Sequence, residues 1–358
     1  MTSPADVLRA GTLRERVDKA LHEWIHAARP AVASMSPDLE PFVDTLAAFV
    51  LDGGKRLRPA FCYWGYRAAG GIDSDEVVRA AAALELVQAC ALIHDDVLDR
   101  SDTRRGAPSV HRRFALAHRT ENRAGDAEAF GNAAAILLGD LALVWADTML
   151  AGSGLPADAL LRALPVWNAM RVEVMCGQYL DVVEQARGGG SVERALRVAR
   201  FKAAKYTVER PLHLGAAIGG GGTELLDGLS AYGLPLGEAF QLRDDLLGVF
   251  GDPQLTGKPA GDDLREGKRT VLVAYAAEHA DGAQRALLDA RIGDPELDAA
   301  GVEELRGVIA STGAVAAVEE LISARAEAAL AALDRTAMAD DARTELAALA
   351  TLATRRLR

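Results

Sequence analysis

Apolar residues recur at intervals of three and four along most of this chain, within long stretches rich in alanine and leucine. Residues 78–87 and 160–174 show the pattern clearly. Because a half-buried strand alternates with a period of two, this spacing favours helices. No segment predicts a convincing strand, and we predict helices over residues 12–29, 38–51, 56–69, 75–101, 126–151, 156–186, 191–219, 223–250, 268–280, 282–291, 301–311, 314–334 and 338–356.

The composition indicates that these helices enclose a large core. The chain has 358 residues, of which 50% are hydrophobic, and this excludes a disordered chain and a small disulfide-stapled domain. Glycine-containing breaks separate the helices, and none has the character of an interdomain linker. We therefore predict an all-α fold in which residues 1–358 form a single large helical bundle. Two long polar connections, residues 103–125 and 251–267, are predicted to be lids without secondary structure.

The charge balance limits the partners of the protein. The net charge is −11 and aromatic residues make up 5% of the chain. A nucleic-acid partner is therefore not expected, because both a basic field and stacking platforms are lacking. An anionic ligand must then be held by local groups of cations or by metal ions.

The cysteines indicate the compartment. Cys62, Cys90 and Cys176 form no CxxC pair and lie in apolar segments, which predicts buried free thiols in a reducing environment. No uncharged run reaches the length of a membrane-spanning helix, and the charged N-terminus has no signal-peptide core. We expect a soluble, cytoplasmic protein without a membrane span.

A first acidic cluster lies in LIHDDVLDRSDTRRG, residues 92–106, at the end of a long apolar helix. Asp95 and Asp99 are one helical turn apart, with Asp96 beside them. Carboxylates grouped in this way are hard oxygen ligands that Mg²⁺ favours, especially when the ion also binds phosphate oxygens. Arg104 and Arg105 follow, and guanidinium groups match phosphate oxygens in pairs.

A second acidic cluster lies in FQLRDDLLGVFGD. Because two such clusters occur, the first is poorly explained as a run of charges on the surface. Here Gln241, Asp244 and Asp245 lie on another apolar helix. An unpaired carboxylate in such surroundings is costly, so pairing with a metal or a cation is the simpler explanation. Facing helices of a bundle can combine such ligands in a central cavity.

Basic residues are distributed to match these carboxylates. They occur in GGKRLRP (residues 53–59), RFKAAKYT (residues 200–207) and TGKPAGDDLREGKRT (residues 256–270). The first of these segments begins a helix after two glycines, where backbone N–H groups also favour an anion. Acidic and basic clusters together predict a site for a metal-bound polyanion, most economically a diphosphate.

Four motifs, in the chain order GGKRLRP, HDDVLDRSDTRRG, FQLRDD and GKPAGDDLREGKRT, resemble those of the trans-isoprenyl diphosphate synthases, or polyprenyl synthetases. The resemblance extends over residues 53–270 and is closest to geranylgeranyl diphosphate synthases. It implies the all-α isoprenoid synthase fold with a central cavity, and a homodimer. The implied reaction is the Mg²⁺-dependent head-to-tail condensation of isopentenyl diphosphate with an allylic diphosphate.

The resemblance also assigns roles to residues. Mg²⁺, with three ions per active site, would be bound by Asp95, Asp99 and Asp244, supported by Asp96 and Asp245. Isopentenyl diphosphate would be held by Lys55, Arg58, Gln88 and Arg105. The allylic diphosphate would be held by Arg104, Lys202, Lys205, Gln241, Lys258 and Lys268, of which Lys202 and Lys258 would act in catalysis with the aspartates.

Three positions depart from the family pattern. Gln88 stands where these enzymes usually have His. Gly248 replaces the last Asp of the second motif, and Asp252, one turn further on, is a candidate to compensate. Ala203 replaces a usual Thr, so that either Lys202 or Lys205 could contact the substrate.

Product length is predicted from the residues that precede Asp95 on its helix. Each turn back along the helix lies about 5.4 Å deeper, close to one isoprene unit. The residues nearest the metal are small, so no aromatic floor is expected to stop the chain at ten or fifteen carbons. We predict geranylgeranyl diphosphate or a somewhat longer product, with the wall formed by Leu84, Val87, Cys90 and Ala91.

Two other functions stay open at this stage. A class I terpene cyclase uses similar metal carboxylates but has no second substrate, so the isopentenyl diphosphate set Lys55, Arg58 and Arg105 opposes it. A non-catalytic regulatory subunit of a heteromeric synthase is the other alternative, which the substitution at Gly248 favours and the intact first motif opposes.

Overall fold

Helices make up almost all of the regular structure in residues 4–252 and 261–354, which this computed structural model describes. The first nine helices are α1 (Pro4–Ala33), α2 (Glu40–Leu51), α3 (Leu57–Ala68), α4 (Asp75–Leu98), α5 (Val110–Thr120), α6 (Ala127–Ala151), α7 (Ala157–Arg187), α8 (Val192–Val198) and α9 (Arg210–Ile218). The others are α10 (Thr223–Phe250), α11 (Asp262–Arg265), α12 (Val271–His279), α13 (Gly282–Arg291), α14 (Ala299–Ser311), α15 (Ala314–Arg335) and α16 (Asp340–Thr354).

The predicted all-α class is confirmed, with three local corrections. Residues 103–125 are not an unstructured lid, because a short hairpin pairs Thr103–Arg104 with Ala107–Pro108 and α5 follows it. The predicted helix over residues 191–219 divides into α8, a π-helical stretch at Ala199–Glu209, and α9. The second predicted lid is partly helical at α11, while its residues 253–260 lie outside the described ranges.

Helix α4 is the central element of the larger core. Its alanines at positions 80–83 have no exposed surface, and neither do Leu84 and Leu86. Small side chains let α6 pack closely against it. This packing holds the C-terminal end of α4, with its three aspartates, in a fixed position next to the interior.

The π-helical stretch is held closely between α7 and α10. A Cβ on Gly177 of α7 would lie 2.7 Å from Lys202 Cα, and one on Gly237 of α10 would lie 2.5 Å from Ala204 Cα. Only glycine permits these approaches. The wider π turn and its two neighbours therefore fix where Lys202 points, as is common for π-helical segments at functional sites.

Two hydrophobic clusters share helix α10. Tyr232 and Leu236, in its first half, belong to the larger cluster around α4. Leu242 and Leu246, in its second half, belong to a smaller cluster with α12, α14 and α15. The second acidic motif thus lies where α10 passes from one cluster to the other.

Buried side chains follow the sequence pattern with one exception. Cys62 and Cys90 are buried as expected, and Trp64, Trp145 and Trp167 are buried as well. Cys176 was expected to be buried but is exposed on α7. The apolar residues of α7 lie on more than one face of the helix, so its apolar composition did not reveal which face is covered.

Two described helices, α4 and α6, are long and apolar enough to cross a membrane by length and composition. The expectation from the sequence concerned uncharged runs only, and Glu85 in α4 and Asp140 in α6 interrupt such runs. The most apolar window of α4 is 72% buried within the protein and that of α6 is 44% buried. Helix α4 is thus largely a core helix, whereas α6 leaves much of its apolar surface uncovered.

Candidate active site

A cavity of about 720 Å³ opens between the C-terminal halves of α4 and α10, the π-helical stretch and the loop before α12. Both acidic motifs contribute to its lining, through Asp95 on α4 and Asp244 on α10. The two carboxylate-bearing helices therefore face a common space. The other predicted site residues that line it are Lys55, Arg58, Gln88, Ala91, Arg104, Arg105, Lys202, Gln241, Asp245 and Lys268.

Asp95 is held by a lysine from the π-helical stretch. Lys202 Nζ lies 3.2 Å from Asp95 Oδ1 and donates to Asp181 Oδ2 of α7 at 2.7 Å. Burial by itself would raise the pKa of Asp95, but Lys202 and Lys268 outweigh it and hold that pKa below its ordinary value. Asp95 is therefore ionised, as a ligand for a cation must be.

Asp99 ends the same helix and meets a second lysine. Lys268 Nζ lies 3.1 Å from Asp99 Oδ2 and 2.7 Å from Glu266 Oε2. Burial raises the pKa of Asp99, and repulsion from Asp95 adds to this effect against the attraction of Lys268. Asp99 is not itself part of the cavity lining, and Lys268, which is, carries the positive charge that pairs with it.

Asp96 has a different role from its two neighbours. It has no exposed surface, and Arg104 Nε donates to its Oδ1 at 3.0 Å. The structure brings Asp96 to Arg104 and does not place it in the cavity lining. Its carboxylate thereby fixes a guanidinium group that does reach the cavity.

The second motif has a half-buried member, Asp244, and a buried member, Asp245. Asp244 is part of the cavity wall, while Asp245 behind it accepts a hydrogen bond of 2.8 Å from Gln241 Nε2. Burial raises the pKa of Asp245 to about 8, and repulsion from Asp263 and Asp244 adds to it. Gln241 therefore supports Asp245 directly.

The last position of the second motif is occupied from another helix. A Cβ on Gly248 would overlap the carboxylate of Asp263, at 2.6 Å from its Cγ. Asp263 belongs to α11, on the far side of residues 253–260. Asp252, the residue expected to compensate for Gly248, is instead exposed just beyond the end of α10.

The opposite wall is basic. Arg58 donates to Thr207 Oγ1 at 2.7 Å and its guanidinium carbon lies 4.4 Å from the ring centroid of Tyr206. Arg105, with a left-handed φ of 55°, donates to the carbonyls of Phe49 and Asp52 at 3.1 and 2.9 Å. These bonds aim two guanidinium groups at one region, and strained backbone of this kind is concentrated at ligand sites.

Several polar atoms beside this wall are buried without a hydrogen-bond partner among the described residues. They are Arg58 Nε, Gln88 Oε1 and Tyr206 Oη. Buried polar atoms are almost always paired in folded proteins. A polar ligand in the cavity would pair them.

Arg56 supports the loop without serving as a free cation. Its guanidinium is buried and donates to Glu85 Oε2, Asp18 Oδ1 and the carbonyl of Val50, at 2.7, 2.7 and 2.9 Å. Removing one partner of a buried ion pair typically costs about 3–5 kcal/mol. These bonds therefore hold the GGKRLRP segment firmly against α1 and α4.

The choice between the two lysines of the π-helical stretch follows from their partners. Lys202 lines the cavity, whereas Lys205 Nζ lies 3.0 Å from Glu173 and 3.2 Å from Glu209. Lys205 is thus turned into an ion-pair network with Arg210, away from the cavity lining. The expectation that Lys205 holds substrate is therefore corrected. The other predicted lysine, Lys258, lies outside the described residues.

Only one of the four residues predicted to form the product wall lines the cavity. Ala91 lines it, but Leu84, Val87 and Cys90 do not. Leu84 and Val87 are packed in the core, and Cys90 Sγ contacts His94 Nδ1 at 3.7 Å. The helix turns Leu92 and Gln88 toward the cavity instead, and Val174, Tyr206 and Phe240 complete the apolar lining.

The donor atoms fit magnesium that is shared with a substrate. Asp95, Asp99 and Asp244 offer the oxygen ligands that a hard cation prefers, and lysines now neutralise the first two. In the described residues, no three His, Cys, Asp or Glu side chains form a ready-made metal cage. Mg²⁺ commonly takes one or two carboxylates with substrate phosphates and water, so this open arrangement suits an ion bound together with a diphosphate.

Three residues of the site had no predicted role. Asp181 anchors Lys202, Thr207 accepts from Arg58, and Asp263 occupies the space beside Gly248. A signal existed for Asp181, since Gln178 and Asp181 form a polar pair at a spacing of three on an apolar helix. Asp263 lies in the segment of residues 256–270, in which roles were predicted only for the lysines.

Comparisons with known proteins agree with this geometry. Residues 40–309 match the family model described as polyprenyl synthetase. The chain is 33% identical over 298 residues to a geranylfarnesyl diphosphate synthase of Aeropyrum pernix, which covers 82% of this chain and 87% of that protein. It is 31% identical over 334 residues to a geranylgeranyl diphosphate synthase of Mycobacterium tuberculosis, covering 92% and 90%.

Solved structures agree as well. The crystal structure of a geranylgeranyl pyrophosphate synthase from Corynebacterium glutamicum, complexed with isoprenyl diphosphate and magnesium, has a TM-score of 0.93 and 47% sequence identity. The match covers 96% of this chain and 99% of that chain. Similarity of this extent concerns the whole fold.

Proposed function

Because the chain belongs to the polyprenyl synthetase family and is a trans-prenyltransferase, we propose that its cavity condenses isopentenyl diphosphate head to tail with an allylic diphosphate. The observation that carries the proposal is the common cavity of Asp95, Asp244, Lys202 and Lys268, faced by a separate basic wall around Arg58. One half suits a metal-bound diphosphate, and the other half suits a second diphosphate without metal. Two such halves fit two substrates.

The acidic half would hold the allylic diphosphate. Asp95, Asp99 and Asp244 would hold Mg²⁺, which would supply positive charge to the leaving diphosphate. Lys202 and Lys268 stand beside these carboxylates, and they would move from carboxylate oxygens to phosphate oxygens when the substrate arrives. Positive groups that are already positioned stabilise the charge that develops as the C–O bond breaks.

The basic half would hold isopentenyl diphosphate. Arg58 and Arg105 are fixed by Thr207 and by backbone carbonyls, so that their remaining N–H groups stay directed at the ligand. Gln88 and Tyr206 offer further polar atoms. The double bond of this substrate then attacks the allylic cation, a new C–C bond forms, and the released diphosphate takes the proton that is lost.

The product is proposed to be geranylgeranyl diphosphate or a somewhat longer chain. Ala91 and Leu92 both face the cavity on the turn of α4 before Asp95, and the small methyl group of Ala91 leaves room for the growing chain at its position. Relatives that make farnesyl, geranylgeranyl and geranylfarnesyl diphosphate are similar to this chain to nearly the same degree. The proposed product length therefore rests on the residues that line the path of the chain.

An elongation assay tests the proposal. The purified protein is incubated with Mg²⁺, radiolabelled isopentenyl diphosphate and each allylic starter, and the dephosphorylated products are sized. We expect linear products that end at twenty carbons or slightly beyond, and none when EDTA removes the metal. A cyclic hydrocarbon formed without isopentenyl diphosphate, or no product with any starter, would contradict the proposal.

We also propose that the protein is a cytoplasmic homodimer in which a second copy covers α6 and α7. Large apolar side chains are exposed along both helices: Ile136, Leu137, Val144, Leu161, Leu164, Val172, Met175 and Tyr179. An exposed apolar face of this extent is typical of an interface, and the carboxylates that α6 carries argue against a lipid surface. The three free cysteines support a reducing compartment.

The dimer is tested by light scattering on two variants. Leu137→Glu places a charge on the exposed face of α6 and is expected to produce monomers. Ile72→Glu alters a residue that is 83% exposed in the turn before α4 and should leave the dimer intact. A monomeric wild type, or a dimeric Leu137→Glu variant, would contradict this arrangement.

A further inference from the structure

We propose that Asp263 supplies the carboxylate that the second acidic motif lacks at Gly248, and that it binds the metal held by Asp244. This inference rests on the proposed function, because it concerns a ligand of the same metal site. It assigns to α11 a role in metal binding and accounts for how this chain tolerates glycine at the end of the motif.

The position of the Asp263 carboxylate carries the inference. A Cβ on Gly248 would lie 2.6 Å from Asp263 Cγ and 3.2 Å from its Oδ1, with Oδ2 closer still. The carboxylate therefore occupies the space into which a side chain at position 248 would extend from α10. One face of α10 thus presents Asp244 and, one turn later, the oxygen atoms of Asp263.

A second observation connects Asp263 with the first motif. Lys268 Nζ lies 3.6 Å from Asp263 Oδ1 and 3.1 Å from Asp99 Oδ2. A single cation thus already bridges the carboxylate of α11 and the carboxylate at the end of α4. A metal ion bound between the two motifs would find Asp263 within the same group of oxygen ligands.

The backbone around Asp263 is well fixed. Gly261, with a φ of 78°, precedes α11 in the left-handed region, and Lys268 N donates to Asp263 O at 3.0 Å. Arg265 Nε donates to the carbonyl of Leu297 at 2.8 Å, which ties α11 to the second hydrophobic cluster. A carboxylate on such a support is held in place before the metal binds, as a metal ligand should be.

The neighbouring acidic residues do not compete for this role. Asp252 is exposed just beyond the end of α10. Asp262 Oδ1 accepts from Arg265 Nη1 at 3.3 Å, within its own helix. Asp263 is the acidic side chain that the structure places against Gly248.

Metal binding can be measured without turnover. The full-length protein is titrated with Mn²⁺ in the presence of inorganic diphosphate, and free Mn²⁺ is followed by electron paramagnetic resonance. For Asp263→Asn we expect Mn²⁺ affinity to fall on the order of 10- to 100-fold. Asp252→Asn removes an equivalent charge from the exposed site and should bind Mn²⁺ as the wild type does.

A double variant tests whether the location of the carboxylate is what matters. Asp263→Ala vacates the space beside α10, and Gly248→Asp then refills it from the motif itself. The protein that carries both changes should recover most of the Mn²⁺ affinity that Asp263→Ala loses. Circular dichroism on each variant establishes that the fold is retained.

The outcomes separate this inference from the proposed function. If the wild type does not bind Mn²⁺ with diphosphate, both proposals are overturned. If the wild type binds and Asp263→Asn binds equally well, this inference alone is overturned. A folded double variant that recovers no affinity also overturns it, because a carboxylate at that location would then have no effect on the metal.

Discussion

Lys202 Nζ lies 3.2 Å from Asp95 Oδ1, and this contact connects the π-helical stretch to the end of α4. The same ammonium group donates to Asp181 on α7, so three separate helical elements meet at one charge. In the absence of substrate the lysine keeps Asp95 neutralised and in place. The arrangement makes Lys202 the side chain best placed to follow the diphosphate as it leaves.

Replacing Lys202 with Met should reduce kcat on the order of 10²- to 10³-fold, as removal of one group that stabilises developing charge typically does. The matched control is Lys205→Met, three residues later on the same stretch, whose partners are Glu173 and Glu209. That variant should lower the free energy of unfolding while retaining most of its kcat. Steady-state kinetics and urea denaturation measure the two quantities, and equal losses of kcat would contradict the different roles assigned to the lysines.

Replacing Ala91 with Phe should shorten the product. Ala91 lines the cavity one turn from Asp95, and a phenyl ring there would block the path of the chain. We expect the main product to shift from twenty carbons or more to fifteen or fewer, measured by chromatography of dephosphorylated products. Ala91→Ser, which changes polarity with little added volume, should keep the product of the wild type. An unchanged product profile in Ala91→Phe would refute the wall.

The contribution of His213 to stability should fall as the pH falls through the range in which histidine titrates, whereas Asp245, whose pKa is raised to about 8, contributes in the opposite direction. His213 is buried, its Nε2 lies 3.1 Å from the carbonyl of Leu226, and burial lowers its pKa below the ordinary 6.5. The unfolded chain binds a proton below that pH and the folded chain resists it, so unfolding is favoured by about 1.4 kcal/mol per pH unit at most. His111, with a pKa lowered by burial as well, acts in the same direction.

Urea denaturation from about pH 5 to 7 checks the sign and the assignment. His213→Gln should lower the slope of the unfolding free energy against pH, while the slope that remains reports His111 and other groups. The comparison uses slopes, because the variant also loses contacts with Arg210 and Ser230. A slope identical to that of the wild type would show that His213 does not titrate as its burial requires.

Replacing Gly139 with Ala should destabilise the protein by about 1–3 kcal/mol, as overpacking in a tight contact does. The new Cβ would lie 2.9 Å from His94 Cε1 and would displace the ring from the carbonyl of Ile136, which lies 2.9 Å from Nε2. Gly307→Ala is the control, since nothing lies within 4 Å of a Cβ there. It should stabilise α14 by up to about 1 kcal/mol through helix propensity alone, as thermal unfolding would show.

Much of the architecture could be predicted because helical spacing of apolar residues survives in the sequence. The ends of α4, α6 and α10 fall within a few residues of the predicted positions. The predicted cations and carboxylates largely meet because they lie at the ends of helices that pack side by side. Spacing along one helix, however, does not say how that helix is rotated, and this explains why Leu84 and Val87 were assigned to a wall that Leu92 and Gln88 help to form.

Other features depended on contacts between distant segments. Gly177 and Gly237 let two helices approach the π-helical stretch closely, and no local pattern reveals such an approach. Asp263 fills the space at Gly248 from beyond residues 253–260, so the substitution and its neighbour are related only in three dimensions. The exposure of Cys176 likewise reflects which face of α7 other elements cover.

The buried guanidinium of Arg56 connects the N-terminal helix α1 to the segment that carries Lys55 and Arg58. Asp18 on α1 and Glu85 on α4 share this one side chain, which lies between Lys55 and Arg58 in the sequence. Deleting α1 would remove Asp18, one of the two acidic partners of Arg56. Isopentenyl diphosphate would then be bound less tightly. Truncated forms of this enzyme should therefore need more of that substrate, even though the cut lies outside the catalytic cavity.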